Sequence, residues 1–266
     1  MPAISLGITG AAGRMGRRLV ALAAETPEVF NVVCAMEAPA SPELGKDAGV
    51  LAGVGATGVM VTAGLVGNPQ VVIDFTVPAA TRGVIAECVS RKIALLVGTT
   101  GLTPEDQGLI DAAAKVIPIL QAANTSLGVN LLLSVAAQIA RQLGSEYDIE
   151  IVEAHHNQKK DAPSGTALAL AGSICAATGR DLQKDLVHGR VGHDVKRQKG
   201  TVGMHAVRMG DVVGEHTVFY ATGGERIELK HVATTRDTFA RGALRAARFL
   251  AGAKVGRWGM RDVLGL

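Results

Sequence analysis

The sequence predicts an α/β protein with a doubly wound, mostly parallel sheet and a second, α+β domain with an open, mixed or antiparallel sheet. Strands and helices alternate through the first 125 residues, as they do in parallel sheets with helical crossovers. Strand-like runs then follow one another with fewer helices between them, which is typical of antiparallel pairing. The 266 residues are 48% hydrophobic, enough for a buried core in each domain.

The chain begins with a predicted βαβ unit of the Rossmann type. Residues 3–9 are predicted as a strand and residues 14–24 as a helix, with a glycine-rich turn between them. The apolar run 31–36 is predicted as the second strand, and it ends at Glu37. Glycines at the first turn and an acid after the second strand are typical of a dinucleotide-binding fold.

Further strands are predicted at residues 71–76, 93–100 and 119–123. Pro78 suits the start of the helix after the first of them, because the first helical turn needs no N–H donor. Another helix is expected after Thr103, which can cap it, with Pro104 in its first turn and Asp106 three residues on.

The second domain is predicted to start with a helix and to continue with three strands. The helix covers residues 127–143, the strands cover 149–154, 212–221 and 226–232, and a further helix covers 166–177. Gly223 and Gly224 are predicted as a hairpin turn, and Ile227 and Leu229 alternate with charged residues, which predicts one solvated face. A last helix, 238–253, is expected to return to the first domain. We therefore expect one domain of residues 1–125 and 237–266, and another of residues 126–236.

The glycine-rich turn has the spacing G-x-x-G-x-x-G over residues 10–16, with Ala12 in place of the usual middle glycine. Its backbone can approach a pyrophosphate at the helix N-terminus, and Glu37 can bind the ribose hydroxyls. If the glycines are considered alone, they could instead form a strand-to-helix turn that binds no cofactor. No arginine follows Glu37, so NADH should serve at least as well as NADPH, although Arg14 can supply part of a phosphate site.

A second polar turn, Gly98-Thr99-Thr100-Gly101, ends another predicted parallel strand. Open α/β sheets bind ligands at this edge, so the turn can contact the nicotinamide half of the cofactor. A polar turn without a binding role fits the sequence equally well.

Chemistry-bearing residues are concentrated after the first strand of the second domain. His155 and His156 titrate near neutrality and can deliver a proton, and Lys159 can bind an anionic substrate or assist the transfer. Gly165 and Thr166 offer N–H groups at a helix start, where a carboxylate binds favourably. A purely structural histidine pair is one alternative. A metal is not expected, because adjacent side chains diverge and no third ligand recurs nearby.

These features together predict the reduction of a polarised double bond in a small acid. A nicotinamide cofactor supplies the hydride, and a positioned acid supplies the proton.

The composition argues against other classes of protein. The net charge of +3 is mild, and the basic run 196–199 contains no aromatic residue, so no nucleic-acid partner is expected. No apolar run approaches the ~20 residues of a membrane helix, and the N-terminus has no basic leader. The cysteines Cys34, Cys88 and Cys175 lie apart in apolar stretches and suit a reducing compartment. We expect a cytoplasmic protein.

The chain resembles the 4-hydroxy-tetrahydrodipicolinate reductase family, also called the dihydrodipicolinate reductase family, of bacterial lysine and diaminopimelate synthesis. The resemblance covers nearly the whole chain, and its most specific part is the histidine-lysine-DAPSGT signature. The matching segments are GAAGRMG (10–16), IDFT (73–76), GTTG (98–101), AANTSLGVN (122–130), EIVEAHHNQKKDAPSGT (150–166), GDVVGEHT (210–217) and MRDVL (260–264).

The resemblance implies reduction of (2S,4S)-4-hydroxy-2,3,4,5-tetrahydrodipicolinate, a small dicarboxylate, to (S)-2,3,4,5-tetrahydrodipicolinate and water with NADH or NADPH. It implies that His155 is the proton donor, that Lys159 assists it, and that His156, Gly165 and Thr166 bind the substrate. It further implies a homotetramer built through the sheet of the second domain. The implied cofactor residues are Gly10, Ala11, Ala12, Gly13, Arg14, Met15, Glu37, Gly98, Thr99, Thr100, Ala122, Ala123, Asn124 and Thr125. Thr125 stands where many members carry an aromatic residue.

Two alternative functions can be compared with the sequence. A regulatory protein that binds NAD(P) without catalysis would be favoured by loss of His155, Lys159 or the Ser-Gly-Thr turn, and all of these are present. A semialdehyde dehydrogenase would need a nucleophilic cysteine, and Cys175 lies in an Ala-rich helix with no obvious activating base.

Overall fold

The computed structural model describes residues 2–266, and the chain divides into two compact units. The first unit comprises the chain up to Leu127 together with Asp237–Leu266, and the second comprises Gly128–Arg236. The division expected from the sequence lies two residues earlier, after residue 125.

The secondary-structure elements, in chain order, are β1 (Ile4–Thr9), α1 (Arg14–Ala24), β2 (Phe30–Met36), α2 (Ala48–Ala52), β3 (Val61–Thr62), β4 (Val71–Asp74), α3 (Pro78–Arg91), β5 (Ala94–Val97), α4 (Pro104–Ala113), β6 (Pro118–Gln121), α5 (Leu127–Leu143), a 3-10 helix (Gly144–Glu146), β7 (Asp148–His155), α6 (Gly165–Thr178), α7 (Leu182–Asp185), β8 (Leu186–His188), β9 (Val202–Arg208), β10 (Gly214–Thr222), β11 (Glu225–Ala233), α8 (Asp237–Leu250), β12 (Gly256–Trp258) and α9 (Met260–Leu264).

The first unit contains a seven-stranded sheet with the order β12-β6-β5-β4-β1-β2-β3, in which all six strand pairs are parallel. Side chains of α1 and α8 pack with strand residues such as Leu6 and Ile8 in one apolar core. A second core joins α3 and α4 to strand residues such as Val72 and Leu95. Helices therefore cover both faces of the sheet, and the predicted doubly wound α/β fold is confirmed.

The sequence signals for the start of α4 are confirmed in detail. Thr103 Oγ1 accepts a hydrogen bond from the Asp106 backbone N–H at 3.3 Å, and the Asp106 carboxylate accepts one from the Thr103 N–H at 2.8 Å. This capping box satisfies two N–H groups that a helix start otherwise leaves without partners, and Pro104 occupies the first turn.

The second unit contains a five-stranded mixed sheet with the order β11-β10-β7-β9-β8. β10 pairs antiparallel with β11 and β7, whereas β9 pairs parallel with β7 and β8. The Gly223-Gly224 hairpin turn is confirmed, because Thr222 and Glu225 are paired at the end of the ladder. The predicted alternation, in which Ile227 and Leu229 lie on the face away from solvent, is wrong at Ile227. This residue is 37% exposed because β11 is an edge strand.

One face of the second sheet packs against α5 and α6. Ile151, Met204, Val218 and Tyr220 of the strands form a buried core with apolar side chains of the two helices. The Tyr220 hydroxyl donates a 2.6 Å hydrogen bond to the Ala136 carbonyl of α5, which satisfies a polar group inside this core. Within residues 2–266, none of the helices combines the length and the apolar character needed to cross a membrane.

Candidate active site

The residues predicted to bind the cofactor all lie at one edge of the parallel sheet. They occupy the loops that follow β1, β2, β5 and β6, and the carboxyl ends of parallel strands meet at the same edge. The strand order reverses between β1 and β4, because the chain continues from β1 to β2 and β3 in one direction and from β4 to β5 and β6 in the other. Open α/β sheets bind ligands outside this switch point.

The glycine turn after β1 brings the N-terminus of α1 close to the end of the strand. A Cβ atom on Gly16 would lie 2.1 Å from the Gly10 carbonyl oxygen, so only glycine permits this packing. Gly13 is the N-cap of α1 and provides no side-chain hydrogen bond to the first turn. The first-turn N–H groups are thus open to an anion, and the turn fits the pyrophosphate of a dinucleotide.

The Glu37 carboxylate lies against this glycine turn. One oxygen accepts a hydrogen bond from the Ala12 N–H at 2.9 Å and the other accepts one from the Ala38 N–H at 3.2 Å. Arg17 also reaches the turn, where its Nε donates to the Ala12 carbonyl at 2.7 Å. The sequence interpretation did not single out Arg17, although it stands three residues after Arg14 at the start of the same helix.

A buried carboxylate, Asp74, holds the neighbouring loops at this edge. It accepts hydrogen bonds from the hydroxyls of Thr9 and Thr81 at 2.6 Å each, Thr76 at 2.7 Å and Thr99 at 3.1 Å. Thr9 ends β1, Thr76 follows β4, Thr99 follows β5, and Thr81 lies in the first turn of α3. Asp74 therefore fixes the loops after β1, β4 and β5 relative to each other, a role that the sequence interpretation missed.

Two of the predicted cofactor residues have their hydroxyls engaged within the protein. The Thr99 hydroxyl bonds Asp74 and Thr81 and accepts the Thr76 N–H, and the Thr125 hydroxyl donates to the Phe239 carbonyl at 2.7 Å. Contacts from these two residues to a cofactor would therefore use their backbone. Thr100, in contrast, is exposed.

In the second unit, His155 ends β7 with its imidazole buried in a polar cluster. Its Nδ1 bonds the Glu153 carboxylate at 2.6 Å, and its ring packs edge-on against that of His216 at 5.2 Å. A Cβ atom on Gly214 would lie 3.0 Å from Nε2, so the ring fits closely against the backbone of β10. Nδ1 carries the proton when the neighbouring carboxylate is ionised, which leaves Nε2 as the nitrogen that exchanges protons.

Glu153 is fully buried and is satisfied by four hydrogen bonds. Arg208 donates to both oxygens at 2.8 Å, and the Ser164 backbone N–H donates at 3.0 Å, in addition to His155. Burial acts to raise the pKa of Glu153, but these donors outweigh it, and the pKa of the carboxyl lies below its usual range. Glu153 is therefore an ionised carboxylate inside the protein.

The two histidines of this cluster are both harder to protonate than an exposed histidine. Burial lowers the pKa of His155, and the positive charges of Lys159 and Arg208 lower it as well. Glu153 raises this pKa, but the net change is downward. Burial also lowers the pKa of His216 to about 4. A neutral imidazole is thus the resting form at position 216.

The DAPSGT turn connects this cluster to the start of α6. Ser164 is the N-cap of α6, where its hydroxyl accepts the Ala167 N–H at 3.2 Å and bonds His216 Nε2 at 3.1 Å. Gly165 and Thr166 are the first two residues of the helix, as the predicted carboxylate site requires.

Lys159 lies in the loop between β7 and α6, and His156 is half-buried at the start of that loop. The Lys159 ammonium bonds Asp161 at 2.8 Å, which lowers the pKa of the Asp161 carboxyl. Glu153 thus joins His155 to the start of α6, and Arg208 joins Glu153 to the loop that carries Lys159 through the Asp161 carbonyl.

The structure disfavours the nucleophilic cysteine that a semialdehyde dehydrogenase would need. Cys175 is buried in α6 and burial raises the pKa of its thiol, opposite to the requirement for a nucleophile. Among residues 2–266, no group of three His, Cys, Asp or Glu side chains is arranged to hold a metal ion.

The chain matches two family models, which are described as "Dihydrodipicolinate reductase, N-terminus" over residues 4–125 and "Dihydrodipicolinate reductase, C-terminus" over residues 128–264. The chain belongs to the dihydrodipicolinate reductase family. The family expected from the sequence motifs is therefore confirmed, and the chain is an oxidoreductase.

Curated relatives agree over the full length. A protein of Alkalilimnicola ehrlichii named 4-hydroxy-tetrahydrodipicolinate reductase is 49% identical over 264 residues, which is 98% of each chain. A protein of the same name from Pseudomonas fluorescens is 47% identical, also over 98% of each chain.

The fold is also that of a solved structure, the dipicolinate-bound dihydrodipicolinate reductase from Paenisporosarcina sp. TG-14. The two chains superpose with a TM-score of 0.71 over 98% of each, at 20% sequence identity. At this identity the likeness supports the fold alone.

Proposed function

We propose that this protein reduces 4-hydroxy-tetrahydrodipicolinate to tetrahydrodipicolinate with NADH or NADPH. The observation that supports the proposal is that the Glu153 carboxylate bonds both the His155 imidazole and the N–H of Ser164, the N-cap residue of α6. Relatives that are 49% and 47% identical carry the name of this activity, which supports the choice of substrate.

The net reaction replaces the 4-hydroxyl group of the substrate with hydrogen. Loss of the hydroxyl as water, together with a proton from the adjacent carbon, leaves a conjugated double bond. The hydride then adds to one carbon of this bond and a proton adds to the other, so that atoms and charge balance. The nicotinamide ring supplies the hydride when the cofactor is bound. The protein must then supply the proton and hold the dicarboxylate.

His155 is the proposed proton donor. Its protonated ring delivers the proton from Nε2 and returns to the neutral form that Glu153 holds through Nδ1. The lowered pKa of His155 makes the imidazolium a stronger acid, so the transfer itself is favoured. Lys159 is the proposed second group, which binds the substrate anion or assists the transfer.

The start of α6 is the proposed binding site for a substrate carboxylate. Gly165 and Thr166 supply the first backbone N–H groups of a 14-residue helix, where the helix dipole favours an anion. His156, at the start of the loop that precedes this turn, is the proposed additional contact. Dipicolinate, which the Paenisporosarcina reductase binds, is likewise a small dicarboxylate.

The cofactor is proposed to lie along the sheet edge of the first unit. Residues 10–15 would hold the pyrophosphate, Glu37 the adenosine ribose, and the loops 98–100 and 122–125 the nicotinamide half. Glu37 favours NADH, because a carboxylate repels a 2′-phosphate, whereas Arg14 and Arg17 provide positive charge for NADPH. We therefore expect both cofactors to be used, and NADH at least as well as NADPH.

A homotetramer assembled through the second sheet is also proposed. Val152 and Phe219 project from the face of the sheet opposite Ile151 and Val218, which pack on the helices. Light scattering should give the mass of four chains, and the mass of one chain would contradict this assembly. The three cysteines are free and buried, as suits a reducing compartment, and we propose that the protein acts in the cytoplasm.

A coupled assay tests the activity. Substrate is formed in the cuvette from pyruvate and aspartate semialdehyde, and the absorbance of NADH or NADPH is followed, with a control that lacks the semialdehyde. We expect oxidation of either cofactor that depends on the semialdehyde. Binding of dinucleotide without turnover would instead favour the non-catalytic regulatory protein.

A further inference from the structure

The buried carboxylate of Glu153 connects two parts of the site that are separate in the sequence. One oxygen, Oε2, accepts the Nδ1 proton of His155 at 2.6 Å, and the other, Oε1, accepts the Ser164 backbone N–H at 3.0 Å. Glu153 and His155 stand two residues apart on β7 and therefore point to the same face of the sheet. Ser164 lies eleven residues after Glu153, within the DAPSGT turn.

Arg208 compensates the charge of this carboxylate. Its Nη1 and Nη2 atoms bond one Glu153 oxygen each at 2.8 Å, which is the bidentate geometry that carboxylate–guanidinium pairs favour. Nη2 also donates to the Asp161 carbonyl at 2.6 Å. Arg208 therefore keeps Glu153 ionised and also holds the loop that leads into the turn.

The turn itself is fixed from its other side by His216. Ser164 Oγ bonds His216 Nε2 at 3.1 Å while it caps α6. The position of Gly165 and Thr166 thus depends on a serine whose N–H is held by Glu153 and whose hydroxyl is held by β10.

We propose that Glu153 is a positioning residue for the reaction, and that it holds the His155 ring and the carboxylate-binding turn of α6 in one geometry. This inference rests on the proposed function. Glu153 acts through other residues: its hydrogen bond fixes which nitrogen of His155 carries the resting proton, and its negative charge stabilises the ring when it is protonated. A buried residue with only a structural role would give no such dependence on charge.

The charged and titratable groups around His155 determine how the charge of Glu153 affects its pKa. His155 is faced by Glu153 on its own strand, Arg208 on β9, His216 on β10 and Lys159 in the following loop. Of these, only Glu153 favours the protonated ring. Replacing it with a neutral group of the same shape should therefore lower the pKa of His155 further.

The test compares Glu153→Gln with Glu150→Gln as a matched control. Glu150 lies on the same strand, points to the opposite face and bonds Arg190, Arg197 and His205, so its loss removes a similar set of ion pairs without touching His155. Three properties are measured for each variant and for wild type: kcat as a function of pH in the coupled assay, the NMR titration of His155, assigned with His155→Gln, and the affinity for dipicolinate by calorimetry.

We expect Glu153→Gln to lower kcat by about 10²-fold, as a misplaced reacting group does. The titration of His155 and the alkaline limb of the kcat profile, where the proton donor loses its proton, should move to lower pH. Dipicolinate affinity should fall about tenfold, the equivalent of one lost hydrogen bond to a charged acceptor. Glu150→Gln should leave the His155 titration and the shape of the pH profile as in wild type.

Either of two results would overturn the inference: an unchanged His155 titration in Glu153→Gln, or equal effects of the two glutamine variants. If Glu153→Gln does not fold, Glu153→Asp is the second test. It keeps the negative charge, but its shorter side chain cannot hold His155 and Ser164 in the same positions. It should lower kcat and weaken dipicolinate binding, and wild-type values of both would overturn the inference. A wild-type protein without turnover would refute the proposed function, while the titration and dipicolinate binding would still test Glu153.

Discussion

Acid should destabilise the second unit through His216, a buried histidine at the centre of its polar cluster. The side chain is 4% exposed, and burial lowers its pKa to about 4. In the unfolded chain a histidine has a pKa of ~6.5. As the pH falls below this value the unfolded state binds the proton first, so stability decreases between about pH 6.5 and pH 4. The difference between the two pKa values corresponds to about 3 kcal/mol of unfolding free energy.

The substitution His216→Gln removes the titrating group and keeps a side chain that can bond Ser164. Between pH 7 and pH 4 the variant should therefore lose about 3 kcal/mol less unfolding free energy than wild type. The exposed histidine His188, replaced by glutamine, is the control and should leave the wild-type pH dependence intact.

Urea unfolding at several pH values measures this effect, and the chain offers a separate probe for each unit. Both tyrosines, Tyr147 and Tyr220, lie in the second unit, and the single tryptophan, Trp258, lies in the first. The variant should change the pH dependence of the tyrosine near-ultraviolet signal and leave that of the tryptophan fluorescence unchanged. If the tyrosine signal gave the same pH dependence for wild type and His216→Gln, His216 would not be the group whose protonation destabilises the second unit.

Three further predictions concern the cofactor, the substrate and the core. Glu37→Ala should raise the KM for NADH about tenfold, because it removes the ribose acceptor and loosens the glycine turn. Initial rates at varied NADH measure this KM, and an unaltered KM would count against the ribose assignment. Lys159→Met should lower kcat/KM by roughly 10²-fold while NADH binding, measured by fluorescence, stays as in wild type; a wild-type kcat/KM would remove Lys159 from the reaction. Tyr220→Phe should cost about 1 kcal/mol of unfolding free energy, because the hydrogen bond from the buried hydroxyl to the Ala136 carbonyl of α5 is lost. Urea unfolding of the second unit measures this cost, and a change near zero would be contrary to the expectation.

The fold and the chemistry-bearing segments were predictable because their signals are local. Glycines 10–16 and the acid after β2 mark a βαβ unit within 40 residues, and the capping residues around Thr103 locate α4. The run from His155 to Thr166 likewise lies within one loop and the two elements that flank it.

The residues that were missed depend on contacts between distant parts of the chain. Strand β9 was not predicted, because its seven residues include Gly203 and His205 and lack regular alternation, and its pairing with β7 and β8 is not visible in its own sequence. Arg208 at its end could not then be placed beside Glu153. Asp74 was quoted within a motif, but its four hydroxyl partners come from the end of β1, from α3 and from the loops after β4 and β5.

We propose that His155 delivers the proton for reduction of the substrate, and the kcat of His155→Gln in the coupled assay measures that role. Glutamine keeps a polar group of similar size beside Glu153 and cannot carry the proton. We expect a kcat that is lower by roughly 10²–10⁴-fold, as for loss of a general acid, with NADH binding unchanged. A wild-type kcat for His155→Gln, measured with saturating substrate and cofactor, would contradict it.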